Sequence, residues 1–124
     1  MGSLPIVTII VAVCFALMGV GAFARPRNFT AVFGITAETP DARNEIQAVY
    51  GGFGLTTAAA LLAPIWHPAL LPGVTAAVAL ALAGMAGGRV IAAIRERPGR
   101  WPLVFFVIEA AGAAALANTL RGAL

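Results

Sequence analysis

The first apolar run, from Ser3 to Ala24, holds no charged residue and only two hydroxyls, Ser3 and Thr8. Three further runs follow at about 43–65, 69–94 and 101–121. Each reaches the roughly 20 apolar residues that a membrane-crossing helix needs. The pattern therefore predicts an all-α protein: one integral membrane domain over residues 1–124, a four-transmembrane-helix bundle with short loops. Only the connection 25–42 is long.

Helix breakers fall where the runs end. Pro26 follows the first, Pro64 and Pro68 bracket Trp66-His67, and Pro98-Gly99 turns the chain between the third and fourth. Pro102 suits a first helical turn. In Thr39-Pro40-Asp41, Pro40 pushes Thr39 out of the helical region. Asp41 is then expected to accept from the orphan amides at the start of the second helix. The triplet Ala22-Phe23-Ala24 resembles a leader-peptidase site. However, the positively charged start of a leader is missing and the apolar stretch is longer than a leader's core. The first helix is therefore expected to be retained.

Composition supports the bilayer as solvent. Hydrophobic residues make up 60% of the chain and charged ones 10%, against about a quarter charged in ordinary soluble domains. The net charge is +3, and every basic residue is an arginine. These arginines punctuate apolar runs instead of clustering on one face, which argues against a nucleic-acid partner. The lone Cys14 excludes an internal disulfide and a cysteine-based zinc site. With one histidine, His67, placed in an interfacial loop, no zinc, haem or hydrolase constellation can be assembled. No cofactor, metal ligand or catalytic residue is expected.

Arginine counting gives an orientation. The first and third loops carry Arg25, Arg27, Arg95, Arg97 and Arg100, and the other side has only Arg121. By the positive-inside rule, loops 25–42 and 95–100 face the cytoplasm and both termini face outward. In a bacterial inner membrane, outward is the periplasm.

Four charges then stand out: Arg43, Glu45, Arg89 and Glu109. A charge at the centre of a membrane helix costs about 2.5–3.5 kcal/mol on insertion scales. At 1.5 Å rise per residue, the four lie roughly 0–3, 8 and 12 Å below one interface, all in the same leaflet. Arg89 is expected to pair with Glu109, and Arg43 or Arg89 with Glu45, since a guanidinium holds a carboxylate in bidentate fashion. Asn44, Gln47 and Tyr50 extend the polar cluster, with Arg43, Gln47 and Tyr50 sharing a helix face. Such a network either fixes which helices are neighbours or serves a proton, an ion or a headgroup.

Small residues occupy the same helices. Gly51, Gly52 and Gly54 interrupt the second, and Gly84 and Gly88 stand at G-x-x-x-G spacing just before Arg89. They are expected to let helices approach closely, within the chain or in a homo-oligomer. The loop stretch 28–34 carries Phe29 and Phe33, which suggests that it lies on the membrane or folds back over the bundle.

The stretch from Asp41 to Gly54, together with Gly84-Met85-Ala86-Gly87-Gly88-Arg89 and Phe105-Phe106-Val107-Ile108-Glu109, resembles the bacterial family of small four-helix membrane proteins catalogued as domain of unknown function 4345. The resemblance covers nearly the whole chain. It implies a four-helix fold and a membrane location, and it brings no catalytic residue. Three functional readings remain open. The first is a structural or accessory bundle whose Arg/Glu cluster fixes packing. The second is a small proton- or ion-coupled transporter. The third is a lipid-binding protein or enzyme built around Tyr50, Glu45 and Glu109. Small multidrug exporters keep their essential acid in the first helix, and this first helix has no charge.

Overall fold

The structure is a computed structural model that describes residues 2–121. Those residues form an all-helical bundle. Helix α1 spans Ile6–Ala24, α2 Pro40–Ile46, α3 Phe53–Leu62, α4 Leu71–Arg95 and α5 Arg100–Thr119. A π-helical segment, Gln47–Gly52, joins α2 to α3 without a break. Four helices are long and apolar enough to cross a membrane: Ile6–Ala24, Pro40–Ile65, Pro68–Arg95 and Arg100–Thr119.

The start of the second helix departs from the expected cap. Thr39, not Asp41, is the N-cap: its hydroxyl accepts from the Ala42 amide at 3.1 Å. Pro40 at the first helical position holds Thr39 extended, at φ −114° and ψ 158°, which is the conformation an N-cap needs. Asp41 falls in the first turn, where its charge still meets the positive end of the helix.

The four long helices pack as two hairpins, α1 against the π segment and α3, and α4 against α5. One cluster of buried residues joins them, with Phe15, Leu61, Leu82 and Leu116 among its members. Leu61 and Leu116 are fully buried. Much of the outward surface is apolar, with Ile6, Leu17, Leu80, Ile94 and Leu103 strongly exposed. In lipid, burying such groups gains little, so helix association rests on close packing. The first hairpin has that packing. A Cβ built on Gly19 would lie 2.8 Å from the Gly51 carbonyl oxygen. One on Gly54 would lie 2.8 Å from the Phe15 carbonyl, and one on Gly51 would lie 2.7 Å from the Phe23 ring. Only residues without a side chain allow this approach.

The two ends of the bundle differ. At one, the Gly2 amide donates to the Ile65 carbonyl at 2.9 Å, beside the turn that leads into α4. At the other, the long connection after α1 folds back over the helices. A short 3₁₀ turn, Ala31–Phe33, ends at Gly34 in the left-handed region, at φ 78°. The Thr30 hydroxyl donates to the Ile35 carbonyl, the Ala37 amide to the Arg27 carbonyl, and Arg27 pairs with Glu38 at 2.9 Å. Ala37 is buried with Ala22 and Ile46, and Phe29, Ala42 and Tyr50 pack around them.

Candidate functional site

Arg89 sits in the penultimate turns of α4, and Glu109 lies near the middle of α5. Hairpin geometry brings them to one level. The Arg89 Nε donates to Glu109 Oε1 at 2.6 Å, and its Nη2 donates to Oε2 at 3.0 Å. This is a bidentate pair of the stronger, charge-assisted kind. The Glu109 side chain is 9% exposed and that of Arg89 29% exposed. The carboxylate is thus the enclosed partner, and the guanidinium is the one that reaches the edge.

The aromatic surroundings of the pair come from two elements. The Arg89 guanidinium carbon lies 5.6 Å from the centre of the Phe33 ring and 5.7 Å from that of Phe105. Those rings touch each other at 5.2 Å, inclined by 51°. Phe105 stands one helical turn before Glu109, and Phe33 comes from the folded-back loop. Aromatic faces attract a cation electrostatically while excluding water from it. The loop therefore lies over the pair, and the two phenylalanines flank its charge.

The remaining members of the expected cluster are placed elsewhere. Arg43 donates through Nη1 to the Ala37 carbonyl at 3.2 Å, tying α2 to the loop. The Gln47 amide donates to the Arg43 carbonyl one turn earlier. Tyr50 is half-buried, with its ring 5.4 Å from that of Phe29. Asn44 and Glu45 are exposed. Among the described residues Glu45 forms no ion pair, so neither Arg43 nor Arg89 meets it. The reason is its position. Exposed in the second turn of the helix, Glu45 keeps its hydration and gains little by reaching inward.

The glycines divide as well. Gly51 and Gly54 make the close contacts with α1 described above, together with Gly19. A Cβ on Gly52 would meet only its own helix, at 3.9 Å. One on Gly84 or Gly88 would meet nothing within 4 Å, so neither brings helices together within this chain. Sequence reasoning missed Phe105 as a neighbour of the pair and the Ala37 carbonyl as the acceptor for Arg43. The paired phenylalanines of the loop were the available signal for the first. A backbone carbonyl has no sequence signature.

Among the described residues, no group of three or more His, Cys, Asp or Glu side chains could hold a metal ion. A family model, Domain of unknown function (DUF4345), matches residues 3–119 and so covers nearly the whole chain, which belongs to that family. No curated protein and no solved structure matches it.

Proposed function

We propose that this member of the DUF4345 family is a small multi-pass membrane protein with a structural or accessory role, held in register by the Arg89–Glu109 pair. The bidentate geometry of that pair carries the reading. Both carboxylate oxygens and two of the three guanidinium nitrogens are committed to each other. A transporter acid must let go of its partner to take a proton or an ion. Here, letting go would break two charge-assisted hydrogen bonds at once. The other acid of the expected cluster, Glu45, is exposed at a helix end.

The protein is proposed to sit in a bacterial inner membrane with loops 25–42 and 95–100 cytoplasmic and both termini periplasmic. Support comes from the end of the bundle that carries the ion pair, where Arg25, Arg27, Arg95, Arg97 and Arg100 also gather. The test is flux in sealed vesicles. Wild-type protein and Glu109→Gln, reconstituted at equal density, are expected to leave an imposed pH gradient or a cation gradient to decay at the same rate. A decay that is faster with wild-type protein and lost in Glu109→Gln would replace this reading with a transport one.

A further inference from the structure

Where α4 ends and α5 begins, two hollows open side by side. One, of about 290 Å³, is lined by Arg89, Glu96 and Arg97. The other, of about 300 Å³, is lined by Val90, Ile94, Leu103 and Phe106. Arg89, Ala93, Pro98 and Pro102 border both. A charged hollow thus continues directly into an apolar one, at the level where two apolar helices reach their polar ends.

We propose that this double hollow binds an anionic phospholipid, with the phosphate headgroup at Arg97 and Arg89 and the first part of an acyl chain against Val90, Ile94, Leu103 and Phe106. Three observations carry it. First, Arg89 is not used up by Glu109. Its Nη1 makes no hydrogen bond among the described residues, and the side chain keeps 29% of its exposure. Second, the charge is right. Arg89 and Arg97 line the charged hollow against one acid, Glu96, and Arg95 and Arg100, which do not line it, add positive charge to the same turn. Glu96 lines the same hollow and opposes an anion, but two arginines, Arg97 and Arg89, line it as well. Third, a free phosphate would leave the adjoining apolar hollow unfilled, whereas an amphiphile occupies both. The inference does not depend on the accessory role proposed above.

Two tryptophans make the site readable, because Trp101 stands at this end and Trp66 at the other. In Trp66→Phe protein, Trp101 reports alone. The full chain is reconstituted in phosphatidylcholine bilayers that contain a minor fraction of acyl-brominated phosphatidylglycerol, and quenching of Trp101 is compared with that from the same fraction of brominated phosphatidylcholine. One arginine's attraction to an anionic headgroup corresponds to about a fivefold preference. The expected result is enrichment of phosphatidylglycerol by about that factor. Arg97→Gln should remove the preference, and Arg121→Gln, at the far end of α5, should keep it. Inorganic phosphate should not restore the fluorescence. Equal quenching by the two lipids would overturn the proposal. So would brominated phosphatidylethanolamine matching phosphatidylglycerol, since Glu96 would then be selecting a zwitterion. Relief by inorganic phosphate would assign the hollow to a soluble anion instead.

Discussion

Neutralising Arg89 and Glu109 one at a time should have unequal consequences, because the two partners are unequally enclosed. Arg89→Gln leaves the Glu109 carboxylate, 9% exposed, with no cation beside it. Breaking a buried pair from one side costs about 3–5 kcal/mol. The low end, about 3 kcal/mol, is appropriate, since a glutamine amide can still donate one hydrogen bond. Glu109→Gln leaves the guanidinium at 29% exposure, near enough to the edge to turn outward, and still flanked by Phe33 and Phe105. Its cost should be about 1–2 kcal/mol, at the level of a charged hydrogen bond lost. The double variant removes both charges and should cost about 1 kcal/mol. The coupling energy of the cycle is then about 3–4 kcal/mol, at or just above the top of the range found for residues in contact. Reversible unfolding in mixed detergent micelles, with helicity as the signal, gives all four stabilities on one scale. Additive losses would refute a pair that acts as a unit. A larger loss for Glu109→Gln than for Arg89→Gln would refute the argument from enclosure.

Other substitutions probe the rest of the scaffold. Gly19→Ala and Gly54→Ala should each destabilise by about 1–3 kcal/mol, the usual cost of forcing atoms into a filled core, because each new methyl would lie under 3.0 Å from backbone of the facing helix. Gly84→Ala should instead be neutral or gain up to about 1 kcal/mol of helix propensity; a marked loss in the same unfolding assay would show that something covers that face. Thr39→Ala removes the hydroxyl that accepts from the Ala42 amide and should cost about 1 kcal/mol, with fraying visible as faster hydrogen exchange at residues 42–46. Phe33→Ala removes one of the two rings beside the guanidinium, at a cost of about 0.5–2 kcal/mol. It should also speed exchange in α5 around Glu109, and unchanged exchange there would mean that the loop does not cover the pair.

Much of this arrangement is legible along the chain, for reasons that can be stated residue by residue. Uninterrupted apolar runs bounded by prolines leave few alternatives to four helices. Arg89 and Glu109 fall at similar depth on helices joined by a four-residue turn, Glu96–Gly99, and chain connectivity alone makes neighbours of them. Glu45 was harder to place. Its depth is compatible with a partner, but depth says nothing about azimuth, and a charge at a helix mouth has water as an equal competitor. The glycines show the same limit. Gly54 and Gly84 look alike in sequence, and only the facing helix, α1 in one case and none in the other, distinguishes them. In the π-helical turn Gln47–Gly52, Tyr50 packs on Phe29 and Gly51 faces Phe23, contacts with a loop and a helix that no reading of its own stretch contains.

The location of the ion pair inside one hairpin also bears on how the proposed membrane protein would enter a bilayer during synthesis. Leaving the insertion machinery alone, α4 would carry an unmatched cation and α5 an unmatched anion, each penalised by up to the roughly 2.5–3.5 kcal/mol that a charge costs at a helix centre. Leaving together, they present a neutral, already bonded unit. The four-residue turn between them keeps the second helix close behind the first, so that the partner for Arg89 arrives while α4 can still wait for it. The brevity of that turn is thus a matter of timing as well as of geometry, and a long flexible insert at Pro98-Gly99 should lower the yield of inserted protein even though it touches no contact of the finished bundle.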